Sequence, residues 1–333
     1  MSHRNTILII SEYSDISTRK VFDYLNHLSS INVKIITPHE KVFIETIRVS
    51  VNRKKILLKC NNDVINFDNI RSVWYRRGFI SSVPFPYDTI HKLEKQINTF
   101  LSTEWEKITS FLLSISQLEP GIFLLGSFEH ERHCNKLINL HIASSIGLTI
   151  PETFITSDRL SLLNFSDDYE LLATKPVSNV PIFSLGMKIY SGGGTNVLTK
   201  SDIKDLPQQF FPVLVQEYID KLYEIRVLFL KGDLYAMAIF SQGNERTKID
   251  YRNYDIDEPN RLTPIELPQS IQVKIREFMN KLSLNFGSID LIYSKEGKYV
   301  FLEVNPSGQF DWLSFNCNYN LEKRIAKILL NET

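Results

Sequence analysis

One stretch constrains this chain more than any other: GSIDLIYSKEGKYVFLEVNPSGQF, Gly287–Phe310. Two runs of strand-forming residues flank Lys295-Glu296-Gly297-Lys298, and an X-Gly step between such runs signals a hairpin. A two-residue turn at Glu296-Gly297 predicts that Asp290 lies opposite Glu303. Asn305, two positions further along that strand, then points the same way. One face carries Asp290, Glu303 and Asn305, with Ile292 and Phe301 beyond. The other carries Ile289, Leu291, Val300, Leu302 and Val304, all apolar. Carboxylates opposed on a sheet repel, and a hard cation removes that cost. Oxygen donors from Asp, Glu and Asn suit Mg²⁺, which keeps waters and accepts substrate phosphates as further ligands. A solvent-facing hairpin shows the same alternation. The Asn305-Pro306 step and the asymmetry of the two faces tilt the reading toward a nucleotide site.

The chain has 333 residues, enough for two lobes or for one lobe with a mobile subdomain. TILII (Thr6–Ile10) reads as a buried strand, Ser17–Leu28 as a helix and VKIIT (Val33–Thr37) as a second strand. Strand, helix, strand is a βαβ unit and implies a parallel sheet, so the fold class is α/β. A hairpin over Phe43–Leu58 and a strand at SVWYRR (Ser72–Arg77) follow, the latter closed by Gly78 and SSVPFP. A long helix runs from Asp88, its stripe set by Ile90, Leu93, Ile97, Leu101, Ile108, Leu112 and Ile115, and Pro120-Gly121 ends it. A second helix is expected over Glu129–Ser145, with Gly147 after it. Strands follow at Leu171–Val177, Met187–Tyr190 and Val213–Ile219. Then come a hairpin turning at Gly232, a helix over Ile271–Leu284, and a terminal helix carrying Leu321, Ile325, Ile328 and Leu329. The expected division is 1–120 as an N-terminal α/β domain, 121–210 as a central lid, and 211–333 as a C-terminal domain with the hairpin.

Lys+Arg and Asp+Glu both number 38, which gives no support for a nucleic-acid or membrane-surface partner. Cys60, Cys134 and Cys317 are odd in number and far apart, so a reducing cytoplasm is expected. No run of 18 apolar residues occurs. His130, His133 and Cys134 share a helical face, but no fourth zinc ligand is visible.

Asp290 followed by Glu-Val-Asn-Pro at Glu303–Pro306 resembles the metal-binding signature of the ATP-grasp superfamily. Other parts occur in that family's order over Glu129–Leu313: Asn135-Lys136, Lys175-Pro176, Val215-Gln216-Glu217-Tyr218-Ile219 and Glu224. SVWYRRG (Ser72–Gly78), LIISEYSDIST (Leu8–Thr18) and EVNPSGQF (Glu303–Phe310) further resemble the graspetide, or microviridin-type, peptide ligases, most of all the grasp-with-spasm maturases. The resemblance implies an ATP-grasp fold behind a parallel-sheet domain. It implies ATP and Mg²⁺, two ions, with Asp290, Glu303 and Asn305 as metal ligands. Lys136 and Lys175 would neutralise phosphates. Gln216, Glu217, Tyr218 and Ile219 would read adenine, and Glu224 would hold ribose.

In the Gly232 hairpin, Glu224 and Arg226 share one face. Arg226 either steadies charge at the acyl carbon or forms a cross-sheet salt bridge. Family members often carry arginine two before the metal aspartate; here Ser288 stands there, so Arg226 or Arg246 must supply that contact. QGNERTKIDYRNYD (Gln242–Asp255), with Arg246, Lys248 and Arg252, either lines the acceptor side or is a solvated loop. Gly192–Gly194 is a lid loop or a linker. Arg76 or Arg77 grips an acidic peptide or packs on Trp74 and Tyr75.

The implied reaction joins Asp or Glu side chains of a ribosomal precursor peptide to Ser, Thr or Lys side chains. It gives ester or amide macrocycles through an acyl phosphate. The implied partner has a leader and an acidic, Thr/Lys-rich core; homodimers occur in the family. The alternative is an ATP-grasp ligase acting on a small acid or a protein terminus.

Overall fold

The computed structural model describes residues 4–51, 53–61, 63–82, 93–118, 121–178, 182–185, 188–191 and 194–332. Expectations placed on Val83–Pro86, Asp88, Ile90, Pro120, Met187, Gly192 and Gly193 lie outside the described residues. The chain divides into two compact units. The first holds Met1–His133, Leu284–Phe286 and Pro306–Thr333; the second holds Cys134–Ser283 and Gly287–Asn305.

The first unit opens with β1 (Thr6–Ile10), every residue of it buried. Helix α1 (Ile16–Leu28) starts at Asp15, whose carboxylate accepts from the Thr18 N–H at 2.9 Å. Strands β2 (Asn32–Ile36), β3 (Lys41–Ser50), β4 (Arg53–Cys60), β5 (Asp63–Asn66), β6 (Ile70–Tyr75) and β7 (Ser81–Ser82) follow. Helix α2 (Glu94–Leu118), β8 (Phe123–Leu125) and α3 (Phe128–Arg132) complete this part. One sheet runs β2-β1-β6-β8 with every pair parallel, as the βαβ pattern predicts. Its apolar residues pack with Leu112 and Ile115 of α2.

The helix expected over Glu129–Ser145 is two helices. It stops at Arg132 and restarts as α4 (Lys136–Ser145). Asn135 is the cause. Its side chain accepts from the Leu137 and Ile138 N–H groups at 2.9 and 3.2 Å, which satisfies the first amides of the new helix from an extended backbone.

In the second unit, β9 (Thr153–Asp158), α5 (Arg159–Phe165) and β10 (Leu172–Thr174) lead to a hairpin of β11 (Ile182–Leu185) and β12 (Lys188–Ser191). Then come β13 (Asn196–Leu198), α6 (Lys200–Lys204) and β14 (Gln209–Glu217). The antiparallel sheet β13-β10-β14-β9 packs on a small core of Leu162, Leu172, Ile203 and Val215. A five-stranded antiparallel sheet holds β15 (Lys221–Leu230), β16 (Asp233–Phe240), β17 (Arg261–Ile265), β18 (Phe286–Ser294) and β19 (Tyr299–Asn305), in the order β17-β16-β15-β18-β19. Helix α7 (Gln269–Lys281) covers one face through Phe278, whose ring lies 4.8 Å from that of Phe301. The chain ends in α8 (Asp311–Cys317) and α9 (Leu321–Leu329) of the first unit. No described helix is long and apolar enough to cross a membrane.

The β18–β19 turn differs from the two-residue expectation. Three residues, Lys295–Gly297, form it: the Gly297 N–H donates to Ser294 O at 3.0 Å and the Ser294 N–H to Lys298 O at 2.9 Å. Gly297 takes φ +76°, the left-handed residue that ends a loop of this length. The extra residue shifts the register by one, so Leu291 faces Phe301 and Ile292 faces Val300. A bulge at Leu302 shifts it back, and Asp290 faces Glu303 with Ser288 facing Asn305. The bulge also exchanges two side chains. Phe301 packs against α7, whereas Leu302 lines the cleft described next.

Candidate functional site

A cleft of about 730 Å³, part of it open to solvent, lies within the second unit. Its floor comes from β15, β18 and β19, one wall from Lys175 after β10, and its inner end from Gln216–Ile219 at the end of β14. Asp290, Glu303, Lys175, Gln216, Glu217, Tyr218, Ile219 and Glu224 all line it.

The two carboxylates of the hairpin sit among four cations. The Arg226 guanidinium donates to Asp290 Oδ1 at 2.7 Å, so the cross-sheet salt bridge is present, and both side chains are nearly buried. Lys136 Nζ stands 3.4 Å from one Glu303 oxygen, and Arg252 Nη1 stands 3.7 Å from the other. Burial pushes the Glu303 carboxyl up, but Lys175, Lys136 and Arg252 together outweigh it and hold the group below its ordinary value. Lys175 answers in the opposite direction. Burial, with Lys136 and Arg252 nearby, drops its ammonium to about 8 despite the attraction of Glu303 and Asp290.

Lys136 is the first residue of α4, where the helix dipole disfavours a cation. Its position is held by Glu303 and by the Pro176 carbonyl, which accepts from Nζ at 2.8 Å. A lysine kept at such a place is available to anionic oxygens.

At the inner end, Gln216 Nε2 donates to Thr153 Oγ1 at 2.8 Å, and the Glu217 carboxylate accepts from the Glu152 N–H at 3.0 Å. The strand therefore ends in a braced edge whose next residues, Tyr218 and Ile219, lie between β14 and β15. Glu224 is buried between Lys221, which donates to it at 2.5 Å, and the Ser241 hydroxyl. Burial raises its carboxyl even against those donors.

Asn305 lies at the exposed end of β19 on the Glu303 side of the ladder. Among the described residues no three His, Cys, Asp or Glu side chains gather as a metal cage. Two carboxylates and one carboxamide do not make a closed cage. They fit Mg²⁺, which takes few protein ligands and fills its remaining positions with water and phosphate. The expected face of His130, His133 and Cys134 does not form, because α3 ends before His133.

The segment between β16 and β17 is both things the sequence allowed. Arg246 and Lys248 are exposed and do not line the cleft. Ile249, Asp250, Tyr251 and Arg252 line it. The sequence offered Arg252 only together with Arg246 and Lys248, and no periodicity could have singled it out among them. In the first unit, Arg76 is wholly buried and donates to the Ser307 carbonyl and to Gln309 Oε1, the latter at 2.6 Å. Its guanidinium lies over the Phe310 ring, not over Trp74 or Tyr75. Arg77 donates to the Ser307 carbonyl at 2.7 Å.

No protein-family model and no curated protein matches the chain. Solved structures do. A RiPP-associated ATP-grasp ligase of Chryseobacterium gregarium, in complex with ADP and a leader and core peptide, is similar over 98% of this chain and 97% of that one, with 26% identity and a TM-score of 0.83. The macrocyclase MdnC of Microcystis aeruginosa, bound with precursor peptide MdnA, shares 24% identity over 98% of this chain and 100% of its own, with a TM-score of 0.75. D-alanyl-alanine synthetase A of Vibrio cholerae shares the fold alone, at 14% identity over 99% of each chain and a TM-score of 0.60.

Proposed function

We propose that this chain, an ATP-grasp ligase of the RiPP-associated kind, uses ATP and Mg²⁺ to join side chains within a ribosomal precursor peptide. The observation that carries the reading is the cleft itself: two opposed carboxylates ringed by Lys136, Lys175, Arg226 and Arg252, beside a braced strand end suited to a flat base. Carboxylates and cations share the cleft, an arrangement that suits a triphosphate arriving with Mg²⁺: the metal would meet Asp290 and Glu303, and the phosphates would meet Lys136, Lys175 and Arg252.

Asp290, Glu303 and Asn305 would hold Mg²⁺, which supplies charge neutralisation to the phosphate oxygens when bound. Gln216–Ile219 receive adenine, and Glu224 receives the ribose hydroxyls by exchanging its present partners. Lys136 and Lys175 lie where they meet phosphate oxygens. A substrate carboxylate attacks the γ-phosphorus, giving an acyl phosphate and ADP. A Ser or Thr hydroxyl, or a Lys amine, then attacks the acyl carbon, loses its proton and expels inorganic phosphate. An ester or amide results. Of the two arginines expected to steady the acyl oxygens, Arg226, bonded to Asp290 beside the cleft, remains the candidate, and Arg246 lies outside the cleft.

The core peptide is taken as acidic with Thr or Lys acceptors, the work as cytoplasmic, and the enzyme as a homodimer. Residues 1–120, 121–210 and 211–333 are the functional divisions of this reading. The test is incubation with ATP, Mg²⁺ and a precursor. The expected result is ADP release coupled to loss of one water mass per ring. ADP release driven by a free amino acid and indifferent to peptide would instead mark a small-acid ligase.

A further inference from the structure

Arg252 stands in the cleft on a loop that has no strand or helix to aim it. Its aim comes from Asp250. The Asp250 carboxylate is buried, 5% exposed, and its Oδ1 accepts from the Arg252 Nε at 2.9 Å and from the Arg252 N–H at 3.1 Å. One acid therefore fixes both ends of the same residue. Its other oxygen, Oδ2, accepts from the Thr195 N–H at 3.4 Å. Gly194 lies so close that an added Cβ would meet Oδ2 at 2.8 Å. A side chain at position 194 would force the carboxylate or the chain to shift.

We infer that Asp250 is a positioning residue: it aims the Arg252 guanidinium at the Glu303 side of the cleft and ties the Gly194–Thr195 loop to that aim. Arg252 is then the guanidinium for the transferring phosphoryl and acyl oxygens, where Ser288 leaves β18 without one. Planar donors suit such oxygens better than an ammonium does. A carboxylate that holds the side of the guanidinium nearest the backbone leaves Nη1, 3.7 Å from Glu303, turned to the cleft. The side chain is 57% exposed despite these bonds, so it is reachable by substrate. Arg246, by contrast, takes no part in this arrangement.

This inference rests on the proposed ligase reading, and the experiment separates the two. Asp250→Asn keeps the shape and removes the charge. Arg252→Ala removes the aimed group. Peptide-dependent ATP turnover is measured for each variant and for the pair. Each single change is expected to lower kcat by about tenfold or more with little change in the KM for ATP. The double variant is expected to be no slower than Arg252→Ala alone, because Asp250 acts through Arg252. Losses that multiply, or an Asp250→Asn enzyme with full kcat, overturn the inference. A second measurement needs no activity: hydrogen exchange at the Thr195 amide should quicken in Asp250→Asn and stay slow in Arg252→Ala. Equal protection in both overturns the tie. Absence of peptide-dependent turnover in the unmodified enzyme counts against the ligase reading, and the exchange result still decides the tie.

Discussion

Lys175 shows at the scale of one residue how the site trades stability for function. Its ammonium titrates near 8, below the ordinary 10.5, because burial outweighs the nearby carboxylates. Between those two values the unfolded chain holds a proton that the folded chain has released. Stability from this group therefore rises with pH across that window, and the full cost is present below it. Lys175→Met should raise the thermal midpoint by a few degrees at pH 7 while ATP turnover collapses. A fall in the midpoint, read by calorimetry, would show that the lysine stabilises the fold. Asn305→Ala belongs to the same scale. The Mg²⁺ concentration for half-maximal turnover should rise by about tenfold or more, and the midpoint measured without nucleotide should hardly move. Asn305 was readable beside Glu303 from strand alternation, whereas the pairing of Asp290 with Glu303 holds because two unseen register shifts cancel. Arg252 was not readable, since a loop between β16 and β17 has no period to place it, and Arg246 and Arg252 look alike in sequence.

At the scale of elements, the β18–β19 hairpin and the break between α3 and α4 turn on local hydrogen bonds that hydrophobic alternation does not encode. The opposition of Asp290 and Glu303 follows from a two-residue turn on paper. In the protein a three-residue loop and the Leu302 bulge displace the register in opposite senses and restore it. Bulges leave no signal in hydrophobic alternation, so the exchange of Phe301 and Leu302 was invisible. The split between α3 and α4 was overlooked because a lone Asn reads as an ordinary helical residue until its cap bonds are seen. That cap gives a prediction. Asn135→Ala should cost about 1 kcal/mol. Because Lys136 is the first residue of α4, kcat should fall as well; denaturant melts and turnover assays check the two effects. Two glycines with left-handed backbone separate strain from space. An added Cβ at Gly297 meets nothing nearer than Tyr293 Oη at 3.6 Å, so Gly297→Ala should cost only about 1 kcal/mol for its φ. At Gly126 the Cβ would meet the Tyr75 carbonyl oxygen at 2.2 Å, and Gly126→Ala should prevent stable folding. Similar melting of the two variants would contradict this contrast.

At the scale of the molecule, the α/β class and the parallel N-terminal sheet were legible from the βαβ run of the first strands and helix. The interleaving of the two units was not. The chain leaves the second unit after Asn305 and enters the first at Pro306, within the very motif that drew attention to the site. Local patterns carry no record of such a crossing. The account depends on the β18–β19 face being where the metal meets the triphosphate. The most direct test is a crystal structure with ADP and Mn²⁺, located by anomalous scattering. The account predicts a peak within coordination distance of Asp290, Glu303 and Asn305, with adenine against Gln216–Ile219. A peak elsewhere, or a nucleotide outside this cleft, would contradict it.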